Sequence, residues 1–160
     1  MVQKLYPYTK KIIFSLSFLL FLNHAVLSSA DDGLIRIKSA HNVTQTADRL
    51  ETLLQDKGMT LFARINHAKG AAAVGQALRP TELLIFGNPK VGTPLMQCNQ
   101  VAGIDLPQKA LIWEDEEGQT WLGYNHPRYL DRRHGLVECK AVLEKVGTAL
   151  AAFAKGVTQP

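Results

Sequence analysis

The loop that follows the apolar run TELLIF carries residues that could bind a ligand. After Phe86 the chain reads GNPKVGT, which supplies Asn88, Lys90 and Thr93. Thr93 followed by Pro94 is typical of a helix N-terminus, so we predict that a helix begins there. Backbone N–H groups at a helix start attract anions, and Lys90 would add a full positive charge. An ordinary strand-to-helix turn explains the same residues, and the order of a Walker motif is absent.

A second polar segment, NHPRYLDRRHG, occupies residues 125–135. Tyr129 and Arg133 are four residues apart in it, so on a helix they would present a hydroxyl and a guanidinium together. If this segment meets the first loop in space, the two would form a recess for a small carboxylate, sulfur oxyanion or phosphate. The predicted ligand-binding residues are therefore Asn88, Lys90, Thr93, Tyr129 and Arg133.

Histidines offer an alternative chemistry in the same segment. His126 and His134 are eight residues apart, which places them roughly on one side of a helix. With His67 they could bind a transition metal, although no HxH or HExxH spacing supports the set. Single roles remain open: His67 as a hydrogen-bonded loop side chain, and His134 as a cap before Gly135. No cofactor is identified by the sequence.

An enzyme would need a nucleophile beside a base. The candidates are Cys98 with a histidine, or an acid–base pair of His67 and Glu114. No GxSxG elbow occurs, and a buried thiol is the simpler explanation of Cys98. Cys98 and Cys139 could pair as a disulfide in an oxidising compartment or remain two separate buried thiols. The sequence favours a binding protein, with an enzyme of unknown reaction as the alternative.

The first thirty residues have the pattern of a secretory signal peptide. Lysines precede the apolar run IIFSLSFLLFL at 12–22, and Ser28 and Ala30 stand at −3 and −1 before Asp31. The run is short for a membrane span of about 20 residues, so an uncleaved anchor is the less favoured alternative. We predict a periplasmic or secreted protein that has no stable membrane insertion after the leader is removed.

The charge of the mature part argues against nucleic acid as a partner. Of 18 basic residues, three lie in the predicted leader (Lys4, Lys10 and Lys11), which leaves 15 against 14 acidic ones. A net charge near zero gives no electrostatic basis for binding nucleic acid. Residues 31–160 have the length of one ordinary domain.

The remaining patterns predict the elements that must position these residues. Alternation predicts strands at 33–39, 59–65, 81–86, 109–113 and 119–124, and Leu61, Ala63 and Ile65 should share one face of the second. Helices are predicted from the Asn42 cap to Gly58, from Thr93 through Cys98, and over 137–155, with a loose helix or loop at 66–80. Strands outnumber crossover helices, so the sheet should be mostly antiparallel in an α+β fold.

Trp113 and Trp121 lie on facing strands of a predicted hairpin and could be cross-strand neighbours. Such a pair would belong to the core or to an interface between two copies. The sequence therefore leaves open a homodimer as a purely structural role, beside the binding of a small-molecule ligand.

Four stretches together resemble the bacterial and archaeal family known as domain of unknown function 302. They are INHAKGA (65–71), TELLIFGNPKVGTPLMQ (81–97), GIDLPQKALIWEDEEGQTWLGYNHPRYL (103–130) and RHGL (133–136). The resemblance implies a TATA-binding-protein-like α+β fold, a curved antiparallel sheet of about five strands backed by two main helices. It implies no agreed activity, and a fold alone does not license DNA binding. The family usually has an aspartate where this chain has His126, so no acid is available there.

Overall fold

A computed structural model describes residues 33–160 of the chain, which form part of one compact unit. The predicted leader at 1–30 lies outside the described residues. Within the described part, no helix is long and apolar enough to span a membrane.

Five strands form one antiparallel sheet in the order β1-β5-β4-β3-β2. The predicted α+β class is therefore confirmed. The strands are β1 (Leu34–Lys38), β2 (Thr60–Asn66), β3 (Thr81–Gly87), β4 (Gln108–Glu114) and β5 (Thr120–Asn125).

Helices connect the strands and cover one face of the sheet. They are α1 (Val43–Asp56), α2 (His67–Ala73), α3 (Pro89–Cys98), α4 (Pro127–His134) and α5 (Lys140–Thr158). Short 3-10 turns occur at Gln100–Ile104 and Val137–Cys139. The long helices α1 and α5 pack on the sheet and on each other, as expected for the two main helices.

The core lies between the sheet and the helices. Leu84 and Phe86 of β3, Ile112 of β4 and Leu122 of β5 are buried on the covered face, where they meet buried leucines of α1 and α5. Alternate residues of the same strands point to the other face and are half-buried. β3 is an inner strand of the sheet, and only its even-numbered side chains are buried.

The predicted start of α1 is confirmed. Asn42 Oδ1 accepts from the backbone N–H of Gln45, and Gln45 Oε1 accepts from the N–H of Asn42, which makes the expected capping box. Gly58 follows the helix with a φ of 65°, a left-handed conformation that favours glycine. Val43, Ala47, Leu50 and Leu54 recur at helical spacing and are all buried.

The predicted alternation of β2 is wrong after its second residue. A β-bulge between Leu61 and Ala63 shifts the register, so Leu61 pairs with Phe86 whereas Ala63 pairs with Ile85. Leu61 therefore lies on the covered face, and Ala63 lies on the open one. The bulge also turns Arg64 toward the helices.

Arg64 reaches a buried carboxylate on the covered face because of this shift. Its Nε lies 2.6 Å from Glu82 Oε2, and its Nη1 lies 2.6 Å from Asp48 Oδ1. The hydrogen bond to Glu82 raises the pKa of Arg64. Glu82 is 4 % exposed, so the pairing compensates a carboxylate that would otherwise be buried alone.

Trp113 and Trp121 are direct register partners across β4 and β5, as predicted. Their rings stack with centroids 6.4 Å apart, and Lys38 Nζ lies 5.3 Å from the Trp121 ring centroid. Trp113 also lies over Gly123, where a Cβ atom would be 2.9 Å from Cζ3 of the ring. Both rings are half-buried on the face opposite the helices.

Candidate ligand-binding site

Helix α3 begins at Pro89, so the predicted start at Thr93 is wrong. Asn88 is the N-cap, and its Oδ1 accepts from the N–H of Lys90. The N–H groups of Val91 and Gly92 donate to Asn88 O, and Pro89 has no N–H. The first turn therefore has no free N–H to offer an anion, which removes the reason for expecting an anion site there.

An apolar cavity of about 490 Å³ lies between α3, α5 and the ends of β3 and β4. Gly87, Asn88 and Thr93 of the predicted loop line it, but Lys90 does not. Its apolar side chains include Met59, Phe62, Met96, Leu106, Val146 and Phe153. Phe62 stands in the bulge of β2 and is 56 % exposed, so an aromatic ring lies open to solvent at the cavity wall.

A few polar side chains also line this cavity. Thr93, Gln108 and Lys145 make no side-chain hydrogen bond or ion pair among the described residues. Asn88, in contrast, is engaged by its capping role and by a 3.4 Å contact from Nδ2 to Gly58 O. The cavity is thus an apolar space, and Lys145 is the only charged residue among the described residues that line it.

Cys98 and Cys139 form a disulfide, so the alternative of two separate buried thiols is wrong. The disulfide joins the last residue of α3 to the residue that precedes α5, with Cα atoms 6.4 Å apart. Because α3 and α5 are opposite walls of the apolar cavity, the bond ties the two walls together.

Tyr129 and Arg133 belong to a different place, at the exposed side of α4. Arg133 Nη1 donates to the Tyr129 hydroxyl, and its Nε lies 3.4 Å from Asp105 Oδ2. The hydrogen bond to Tyr129 and the charge of Asp105 raise the pKa of Arg133, so the guanidinium remains cationic. The same Asp105 oxygen lies 2.6 Å from His134 Nε2, inside the fold.

Four of the five predicted ligand residues therefore fall into two groups, and Lys90 belongs to neither. Asn88 and Thr93 line the apolar cavity, whereas Tyr129 and Arg133 interact with Asp105. The side chain of Lys90 makes no hydrogen bond or ion pair with either group within residues 33–160. The structure does not bring all five into one recess.

The three histidines predicted as metal ligands are also separate. Among the described residues, no group of three His, Cys, Asp or Glu side chains could hold a metal ion. His67 is the exposed first residue of α2, and His134 is buried against Asp105. His126 is the N-cap of α4, where its Nδ1 accepts from the N–H of Arg128 at 3.0 Å. The three histidines thus lie at separate places in the fold and do not form one metal site.

Neither predicted catalytic pair is assembled. Cys98 is in a disulfide and cannot act as a nucleophile in this oxidised state. In the part of the chain that the structure describes, no hydrogen bond or ion pair joins His67 to Glu114. The backbone carbonyl of Glu114 instead accepts a hydrogen bond from Arg79 Nε.

Sequence reasoning missed Asp105 and Lys145. Asp105 is 29 residues from its partner His134, so no local spacing connects the two. Lys145 lies on α5 and was treated as part of a covering helix. Lys145 is next to the buried Val146 in the sequence. A charged residue in that position is a weak indication that this face of the helix is only partly covered.

The described fold agrees with a solved structure and a family model. The crystal structure of a DUF302 protein from Bacillus stearothermophilus matches with a TM-score of 0.71, over 79 % of this chain and 98 % of that one, at 20 % identity. That identity supports the fold alone. The model of the family "Domain of unknown function DUF302" matches residues 35–153.

Curated relatives are longer than the matched segment. A protein of Brucella suis named "Fluoride-specific ion channel FluC 1" is 44 % identical over 126 residues, which cover 76 % of this chain and 50 % of that protein. The protein of the same name from Brucella abortus is equally identical, with 47 % of its length covered. The chain thus spans about half the length of these relatives. Because the family model covers residues 35–153 and the fold agrees with it, the chain belongs to the DUF302 family.

Proposed function

We propose that this chain binds a small amphipathic molecule, one with an apolar body and an anionic head group, and that it does so after export to the periplasm or beyond. The observation that carries the proposal is the apolar cavity between α3 and α5, with Lys145 as its one charged lining residue. The proposal assigns no catalytic role to the residues that line this cavity.

The cavity has the size and lining of a small-molecule site. Its volume of about 490 Å³ falls within the roughly 300–1,000 Å³ that such sites span. Burying an apolar body there contributes about 25 cal/mol for each Å² removed from water. Met59 and Met96 are unbranched and flexible, so the walls can adjust to differently shaped bodies.

The head group is expected beside Lys145. A carboxylate or phosphate placed there would gain a charge-assisted hydrogen bond from the ammonium group. The Thr93 hydroxyl and the Gln108 amide line the same cavity and are free to orient the polar end. The anionic ligand expected from the sequence is thus retained, but Lys145 takes the part assigned to Lys90.

Fluoride requires its own test because the curated relatives are named as fluoride-specific channels. That name describes proteins about twice as long as the matched segment. A small, strongly hydrated anion gains little from an apolar wall, so we expect fluoride not to stabilise this chain.

The experiment measures by isothermal titration calorimetry how tightly decanoate and decanol bind the oxidised protein. The two ligands have the same alkyl chain length, but decanoate ends in a carboxylate and decanol in a hydroxyl. Ala149 lines the cavity, so Ala149→Trp should abolish binding of both by filling the space. Lys145→Gln should weaken decanoate about tenfold and leave decanol unchanged. Lys155→Gln, a lysine on the same helix that does not line the cavity, is the control and should bind like the unmodified protein.

The outcomes separate the parts of the proposal. If neither ligand binds the unmodified protein, or if both bind Ala149→Trp normally, the cavity is not the site and the proposal fails. If decanol binds as tightly as decanoate and Lys145→Gln changes nothing, the anionic head is wrong. The homodimer expected as an alternative stays a prediction, which light scattering of the purified chain can check.

A further inference from the structure

A second cavity, of about 580 Å³, lies on the other side of α5 and shares no lining residue with the first. Helices α4 and α5 form its sides, and β1 and β5 contribute Ile35 and Tyr124. Its polar lining residues are Tyr124, His126, Arg128, Asp131, Lys140 and Glu144. This mixture of polar groups contrasts with the apolar cavity and requires a different kind of ligand.

Tyr124 contributes a hydroxyl that has no hydrogen-bond partner within residues 33–160. The residue as a whole is 6 % exposed, and burial raises the pKa of its phenol, so the hydroxyl remains protonated at neutral pH. Because the residue lines the cavity, its unpartnered hydroxyl is available to a bound molecule.

Asp131 contributes a carboxylate with an unpartnered oxygen. Its Oδ1 is buried and accepts no hydrogen bond from the described residues. Leaving such an acceptor unpaired costs roughly 1–3 kcal/mol, and more for a charged group. A ligand that brings an ammonium group to this carboxylate would offset that cost.

His126 contributes an N–H donor, and its role as the N-cap of α4 determines which ring nitrogen carries the proton. Because Nδ1 accepts from the N–H of Arg128, the neutral ring carries its proton on Nε2. The imidazole therefore presents an N–H on its other side, suited to a carboxylate oxygen.

The four charged residues balance one another without pairing. No ion pair within the described chain joins Arg128 or Lys140 to Asp131 or Glu144. Two positive and two negative side chains around one space match a ligand that carries both signs. A simple anion would meet the two carboxylates, and a simple cation would meet the two basic groups.

We propose that this second cavity binds a small zwitterion with an ammonium and a carboxylate group, such as a free α-amino acid. The ammonium contacts Asp131 and the Tyr124 hydroxyl, and the carboxylate accepts from His126 Nε2 and from Lys140 or Arg128. This site is independent of the proposed amphipathic ligand.

The test uses isothermal titration of the purified oxidised chain with leucine, and with isoamylamine and 4-methylpentanoate as matched molecules that carry one charge each. Leucine should bind, and each analogue should bind at least tenfold more weakly. Asp131→Asn should reduce leucine affinity at least tenfold, and Tyr124→Phe should reduce it severalfold. Asp56→Asn removes the same charge at the exposed end of α1 and should have no effect.

Thermal unfolding confirms that each variant is folded before it is titrated. Tyr124→Phe removes a hydroxyl that has no protein partner, so it should not destabilise the fold. If Asp131→Asn does not fold, the leucine affinity of Tyr124→Phe alone tests the proposal. The proposal is overturned if leucine does not bind, if the single-charge analogues bind as well as leucine, or if folded variants keep full affinity. Loss of decanoate binding in the apolar cavity has no bearing on this result.

Discussion

His134 Nε2 lies 2.6 Å from Asp105 Oδ2, and this one carboxylate oxygen also meets Arg133 Nε at 3.4 Å. The side chain of His134 is 4 % exposed, whereas that of Arg133 is 49 % exposed. Asp105 thus connects the interior end of α4 to its surface.

We therefore expect Asp105→Ala to lower the free energy of unfolding by about 1.5–3 kcal/mol, because a charged hydrogen-bond acceptor is lost beside a buried imidazole. Urea unfolding at neutral pH measures the change. Asp56→Ala, at the exposed C-terminal end of α1, is the control and should stay within about 0.5 kcal/mol of the unmodified protein. Equal stability of the two variants would contradict the role given to Asp105.

Reduction of the disulfide should destabilise the protein. Cys98 and Cys139 are 41 residues apart, and a closed loop of that length corresponds to about 4 kcal/mol in the chain-entropy description. Urea unfolding with and without a phosphine reductant measures the loss. The double variant Cys98→Ser/Cys139→Ser should unfold at the midpoint of the reduced protein and should not respond to reductant; a response would mean that reduction acts elsewhere.

The hairpin tip should report acidification through tryptophan fluorescence. Asp115 Oδ2 accepts from Trp121 Nε1 at 2.6 Å, and this hydrogen bond lowers the pKa of Asp115. A lowered carboxyl pKa contributes stability that is present above the unfolded value of 3.8 and is lost as pH falls through the folded value. The chain has two tryptophans, both in this hairpin, so emission reads the site directly.

Emission should therefore stay constant from pH 7 to the ordinary carboxyl range and change only below it. Asp115→Asn should give the acid-like emission already at pH 7, with no further transition at that position. If the unmodified protein and Asp115→Asn have the same emission at every pH, the charge of the Asp115 carboxylate does not act on the indole in solution.

The cap of α4 should accept an aspartate in place of its histidine. His126→Ala removes the side chain that accepts from the N–H of Arg128, and loss of a cap costs about 1 kcal/mol. His126→Asp keeps an acceptor at the N-cap and should retain the stability of the unmodified protein. Urea midpoints of the two variants check this, and the same loss in both would show that the cap is not what the side chain contributes.

This cap also explains the departure noted in the sequence. The resemblance implies an aspartate at the position of His126, and both side chains can accept a hydrogen bond from the start of a helix. The structural role can thus be kept although the charge is lost, which changes the character of the cavity beside it.

Local patterns predicted the elements whose signals are local. The capping box at Asn42 and Gln45, the buried stripe of α1 and the hairpin partners Trp113 and Trp121 depend on neighbours in sequence or on one tight turn. These predictions required no knowledge of the rest of the molecule.

The start of α3 shows where local signals compete. Asn88-Pro89 and Thr93-Pro94 both match a cap followed by proline, and the structure uses the first, so Pro94 lies inside the helix. Propensity cannot choose between two equal signals. Because a start at Pro89 consumes the N–H groups assigned to the anion, the error carried over into the predicted ligand site.

The cavities were beyond prediction for another reason. Lys145 and Thr93 line one space because α5 packs against α3, and their sequence separation gives no hint of it. The second cavity likewise joins Tyr124 of β5 to Glu144 of α5. Only the packing of distant elements creates such walls.

The bulge of β2 has a consequence for how copies of this chain can meet. β1 and β2 are the outer strands of the five that the structure describes, and a sheet extends by adding strands at its outer strands. The kink at Phe62 interrupts one edge, and Arg36 and Lys38 place basic side chains along the other. Both features oppose continuous sheet growth from molecule to molecule.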